Sequence, residues 1–314
     1  MNPLLVCGIL ASALYFILFN LTCLYFILFF VALYFCLSWY LVPSSASKFN
    51  SIRRKIQIST WSDATRPTVI GHTQIRISNS LSYLSSLSKS SSESITLTHL
   101  VIKAIGQVLS EFPEVTGKIA LGHFIKHPTL DMSCLVNMDE EGSDLYHVAI
   151  NNVPNKSVVT IAQEVKQKVL SLRTGKEKQK YKDSTKPLEN LPNCIMTVCI
   201  ELITYITSVL GFSLPMFNLK SHPFGSCIVT SLGMHKCEIS YVPPSSLLRV
   251  PLFICVSSIH DAALVEDSQV VVSKVLNLCY TADIRYFEGF NLIMIMNRVK
   301  EIMENPSKYL QDQA

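Results

Sequence analysis

The first 47 residues contain no Asp, Glu, Lys or Arg, and from Leu4 to Val42 the chain is almost continuously apolar and rich in Phe, Tyr and Leu. A membrane span needs about 20 such residues. The segment is therefore long enough for one tilted span or a tight pair, with Asn20 and Thr22 marking a candidate turn at its midpoint. A cleaved leader fits poorly, because no basic residues precede the apolar run and the run is too long. "LYFILF" occurs at 14–19 and again at 24–29. Ten residues turn a helix by about 1000°, so the copies fall on different faces and read as low complexity. Lys48, Arg53, Arg54 and Lys55 follow at once. The positive-inside rule then places that flank, and all that follows, in the cytosol. The expected division is an anchor and linker over 1–47 and a domain over 48–314.

The ten cysteines include no CxxC pair and no metal-ligand spacing, and they are scattered through apolar runs. That pattern suits a reducing compartment rather than a disulfide framework. The sequon at Asn155 would then not meet the glycosylation machinery. The net charge is only +4, with no basic stripe interleaved with aromatics, so nucleic-acid binding is not expected.

Beyond a short polar linker, 68–78 reads as a strand and the serine-rich stretch 78–94 as a weak helix and a loop. The clearest helix runs from Thr96 to Glu111, with Leu97, Leu100, Val101, Ala104, Ile105 and Val108 at i, i+3, i+4 spacing. Phe112-Pro113 ends it. Strand-like runs follow at 118–126, 131–137 and 144–150, then a helix over 158–172. Residues 173–192 are a lysine-rich loop, read as solvated. Cys194 to Phe217 is a second apolar concentration, read as a helix packed on the domain or grazing a bilayer, because it breaks at Gly211 and Pro215. The last third reads as strands at 225–231 and 252–259, a hairpin around 266–268, a long strand 269–280 and a closing helix 289–304 stopped by Asn305-Pro306. This is an α+β chain with amphipathic cover helices.

Four stretches in this order resemble one family. "TADIRYFEG" (281–289), before a last helix ending "VKEIMENP", resembles the DHRxxDG signature of the 2-oxoacid dehydrogenase acyltransferase catalytic domain. "FGSCIVTSLGM" (224–234), "LTHLVIKAIGQVLSEFPEVTG" (97–117) and "RRKI" (53–56) are similar to its strand, helix and opening motifs. The resemblance runs from about residue 50 to the C-terminus and looks closest to the short, stand-alone members. It implies the chloramphenicol acetyltransferase-like fold, a mixed β-sheet with covering helices. It also implies coenzyme A or acyl-coenzyme A as substrate, no metal, and a homotrimer with its active channel between subunits.

The family moves an acyl group between coenzyme A and a thiol or hydroxyl. Carried onto this sequence, the oxyanion donor is Thr230, although a β-branched residue on a strand needs no catalytic purpose. The signature aspartate is Glu288, one methylene longer, with Arg53 or Arg54 as its partner. Asp283, Arg285 and Gly289 take structural positions. Ile284 stands where the family places its general-base histidine. Isoleucine cannot accept a proton, and such a base is typically worth about 10²–10⁴ in rate. Of the eight histidines, His222 and His235 flank the Thr230 strand, but none occupies the signature position. The expectation is a membrane-anchored family member with weakened or lost activity. The alternatives are a non-catalytic acyl-coenzyme A, lipid or protein-binding module, or a trimeric scaffold without a ligand.

Overall fold

Leu21–Leu41 forms one unbroken apolar helix, α1. Its stretch Leu24–Leu41 is long and apolar enough to cross a membrane, and none of it is buried in the protein. Thr22 lies inside this helix rather than in a turn. The computed structural model describes residues 8–9, 11–15, 21–45, 68–137, 145–173, 193–215, 219–244, 248–266 and 268–310. Asn20, the basic flank from Lys48 to Lys55 and nearly all of the lysine-rich loop therefore lie outside the described residues.

The domain is organised by one mixed sheet. Its strands are β1 (Thr68–Arg76), β4 (Met132–Asn137), β5 (Leu145–Ile150), β6 (Cys227–Ser231), β7 (Leu252–Val256), β8 (His260–Glu266) and β9 (Gln269–Asp283). They lie in the order β1-β9-β7-β6-β4-β5, with β8 also paired to β9. β6 runs parallel to β4 and β7, and the other pairings are antiparallel. The 15 residues of β9 do double duty: Val275–Asp283 pair with β1, while Gln269–Val275 pair with β8. The run expected at 252–259 thus ends at Val256, and the hairpin expected around 266–268 joins β8, a separate strand starting at His260, to β9.

Residues 118–126, expected as one strand, form a hairpin of β2 (Gly117–Ala120) and β3 (His123–Lys126). The correction has a local cause. Leu121 and Gly122 both adopt left-handed φ, +50° and +78°, the geometry that matches the twist of a two-residue hairpin.

Among the described residues, five longer helices accompany the sheet: α2 (Ser78–Ser91), α3 (Leu97–Glu111), α4 (Val158–Arg173), α5 (Asn193–Thr204, continued by a π-helical segment Tyr205–Leu210) and α6 (Gly289–Glu304). A short turn, α7 (Pro306–Tyr309), closes the described chain. The core joins α3, α4 and α6 to one face of the sheet through Leu100, Ile105, Ile161, Val229, Ile254 and Ile295. The 3.6-residue period of α3 was legible because this helix lies nearly wholly within that core. Even its Lys103 is buried and donates to the Pro154 carbonyl at 2.8 Å. The π-helical segment ends at Gly211, whose φ of +82° favours glycine.

The entry to α3 sets a pH limit. The Thr96 backbone N–H donates to His99 Nδ1 at 3.1 Å, and burial pushes the imidazole down from 6.5 to about 4. The unfolded chain therefore takes up a proton at His99 that the folded chain refuses until about pH 4. Its stabilising contribution is complete above pH 6.5 and is lost as pH falls towards 4. Denaturation between pH 7 and 4 should show a loss on the order of 1–3 kcal/mol from this group, reduced in His99→Asn. An unchanged pH slope in that variant would contradict it.

Candidate active site

The sequence that breaks β9 explains how its charges are tolerated. Asp283, the last residue of the strand, is only 3% exposed, and its N–H donates to the Pro251 carbonyl at 2.9 Å. Its carboxylate accepts from Arg285 Nε at 3.0 Å through both oxygens, from Nη2 at 2.6 Å, and from the Arg285 backbone N–H at 2.9 Å. Two neighbouring charges thus neutralise each other in a fork geometry that satisfies a buried carboxylate. The Asp283 carbonyl accepts from the N–H groups of Tyr286 and Phe287, which tightens the turn. Tyr286 and Phe287 are buried. The Tyr286 hydroxyl accepts the Ile119 N–H at 3.1 Å, which ties the turn to β2, and burial pushes this phenol upwards.

Ile284 projects from this pinned turn half-buried. Glu288 sits at the N-cap of α6 with extended backbone, and its carbonyl accepts the Leu292 N–H at 3.0 Å. A carboxylate is favoured at that end of a helix by the dipole. Gly289 is the first residue of α6, with open space where a side chain would be. Arg53 and Arg54, expected as partners of Glu288, lie outside the described residues.

Thr230 lies on β6, half-buried and in register with Cys255 of β7. Cys255 is in turn opposite Cys279 of β9, and Cys279 opposite His72 of β1. Residues directly paired across a sheet share a face, so Thr230, Cys255, Cys279 and His72 form a row that spacing in the chain could not reveal. Burial pushes the Cys255 thiol up to about 11 and raises Cys279 as well, so both are protonated at neutral pH. Ser133 and Thr281 face the same side, through their register with Ile228 and Phe253. Their buried hydroxyls find no partner among the described residues, nor does that of Ser226 just before β6.

One chain does not bring Thr230 to Ile284. Thr230 is level with Cys279, and Ile284 lies five residues further along the chain, just past the end of β9. At about 3.3 Å per residue that is about 16 Å along the strand direction. Several histidines that would have to stand in for Ile284 have other engagements: His99 with Thr96, His72 Nδ1 with the Tyr241 hydroxyl at 3.0 Å, and His127 with His222. His235 is exposed in the turn after β6.

A mixed sheet covered by helices, with a charge-locked turn joining its longest strand to α6, frames these residues. The chain belongs to the family of 2-oxoacid dehydrogenases acyltransferase (catalytic domain), whose model matches residues 43–194 and 226–311. It is 23% identical over 236 residues to the lipoamide acyltransferase component of the branched-chain alpha-keto acid dehydrogenase complex of Bacillus subtilis (strain 168). The match covers 74% of this chain and 45% of that protein, so the chain spans less than half the length of this curated relative. Among solved structures it is similar to a probable dihydrolipoamide acetyltransferase from Listeria monocytogenes 4b F2365, with TM-score 0.56, 19% identity, and 84% and 92% of the two chains covered. A dihydrolipoamide acetyltransferase of Azotobacter vinelandii, studied for the catalytic roles of a serine, a histidine and an asparagine, gives TM-score 0.56 at 15% identity, covering 85% and 97%. At these identities the structures bear on the fold.

Proposed function

We propose that this chain is a membrane-anchored, homotrimeric member of the acyltransferase family that holds acyl-coenzyme A and whose transfer to a thiol or hydroxyl is weakened or lost. The observation that carries the reading is the turn at 283–288. Its buried Asp283–Arg285 pair and its Tyr286 tether remain in place, while the base position holds Ile284. A turn so fixed presents whatever side chain stands at 284 in a defined place, and isoleucine moves no proton. Binding of an acyl-coenzyme A is thereby separated from turnover.

Assembly is supported by two features. Thr230 and Ile284 lie too far apart in one chain to act on one acyl group, so a transfer site requires a second copy. The β8–β9 ribbon also exposes Val265, Val270 and Val272, each about three-quarters exposed. Such an apolar arm calls for a cover. Anchoring is supported by α1 and by the charges that follow it in the sequence, with 48–314 as the cytosolic domain. In detergent, sedimentation of the full chain should give three copies per particle, and alkaline carbonate should leave it with the membranes. A monomer at micromolar concentration, or release by carbonate, would count against the respective part.

A further inference from the structure

The β2–β3 hairpin has two faces. One carries Ile119, whose N–H reaches Tyr286, and Phe124, whose ring stands edge-on to Tyr286 at 6.0 Å. On the other, Ala120 and Ile125 pack with Val209 of the π-helical segment. Lys118 pairs in register with Ile125, so its side chain shares that second face. It ends beside Gly211. A Cβ built on Gly211 would stand 2.6 Å from Lys118 Nζ and 3.3 Å from His222 Nε2. The two nitrogens thus lie together against the bare backbone of Gly211, and the Lys118 amine takes the place that a side chain at 211 would need. The His127 ring stands edge-on to His222 at 4.4 Å between centroids, backing the second nitrogen. The His222 N–H donates to the Thr207 carbonyl at 3.3 Å, which fixes the loop to the π-helical segment.

Lys118 is half-buried and has no ion-pair partner among the described residues. A cation in that position is costly unless an anion meets it. We infer that Lys118 Nζ and His222 Nε2, backed by His127, form a binding cradle for a phosphate group beside Gly211, separate from the turn that carries Ile284. An ammonium group and an imidazole nitrogen, close together and able to donate, are suited to a compact oxyanion. The nearby carboxylate is Asp131, which acts electrostatically on His222 but already accepts the Asn152 N–H at 2.8 Å. Burial and the Lys118 charge push His127 down to about 4; burial, His127 and the Lys118 charge push His222 down to about 3, with Asp131 opposing the shift at His222. At neutral pH both imidazoles of the cradle are therefore neutral, while burial pulls the Lys118 ammonium below its usual range. A bound anion draws protons onto those rings, so affinity should rise as pH falls from 7 to 5.

The phosphate could belong to a soluble phosphate compound or to a lipid headgroup, and two probes distinguish them. The full chain in neutral detergent is titrated with inorganic pyrophosphate and, separately, with dihexanoyl phosphatidic acid. Lys118→Met should weaken binding of at least one probe by 10-fold or more, and His222→Asn by about 3-fold or more. Lys118→Arg should stay within a few-fold of the unaltered chain, and thermal melts confirm that each variant is folded. Loss confined to pyrophosphate assigns a soluble ligand, and loss confined to the lipid assigns a headgroup; either supports the cradle. Failure of both probes to bind the unaltered chain, or equal binding by Lys118→Met, overturns it. Should Lys118→Met not fold, His222→Asn decides by the same criterion.

Discussion

Replacing Ile284 with histidine is expected to raise acyl transfer from acetyl-coenzyme A to a soluble dithiol by about 10²-fold or more, the range of a positioned general base. The turn is ready for the change, because Asp283, Arg285 and Tyr286 are fixed by hydrogen bonds that do not involve the side chain at 284. The gain should follow the titration of an imidazole. It should disappear when Thr230→Ala is added, since loss of one oxyanion donor costs about 10²–10³. Glu288→Asp should enlarge the gain if the longer side chain displaces the turn. Because both residues belong to one loop, the two effects should not be additive. A chain carrying both reversions that binds acetyl-coenzyme A yet transfers to no thiol or hydroxyl would reject a latent enzyme and leave a binding protein.

The second large effect is on stability. Arg285→Met removes the guanidinium from a carboxylate that is 3% exposed, while the guanidinium itself is 14% exposed. Breaking one side of such a pair costs about 3–5 kcal/mol, because the remaining charge has lost its partner without regaining water. Asp283→Asn in the same chain removes that stranded charge and should recover much of the loss. The cycle of the two single variants and the double, followed by denaturant unfolding, isolates the coupling. A loss below about 1 kcal/mol for Arg285→Met would mean that the pair behaves as an exposed one.

What was legible in the sequence was local or periodic. The apolar stripe of α3, the start of β9 and the start of α6 follow from side-chain period and from residues adjacent in the chain. The family resemblance rests on such stretches, and the motif placed Asp283, Arg285 and Glu288 at a strand-to-helix junction, where the structure has them. Their pairing was less legible: Asp283 and Arg285 satisfy each other two residues apart. The hairpin at Leu121-Gly122 was missed because leucine is not a usual turn residue, although the glycine between two strand-like halves was the available signal. The row from Thr230 to His72 depends on the strand order β6-β7-β9-β1, which no single segment encodes. The cradle at Lys118 is hidden for the same reason. Its glycine and its histidine come from segments distant from β2, joined only by tertiary packing.

In the proposed assembly the transfer site lies between copies, with position 284 from one chain and Thr230 from the next. Mixed assembly tests it. A chain carrying Ile284→His and Thr230→Ala has the base without the oxyanion donor, and the unaltered chain has the donor without the base. Co-expressed in equal amounts, they should form sites that combine both, at about a quarter of the specific activity of the Ile284→His homo-oligomer for random mixing around a closed ring. A mixture no more active than its two components measured alone would contradict the claim.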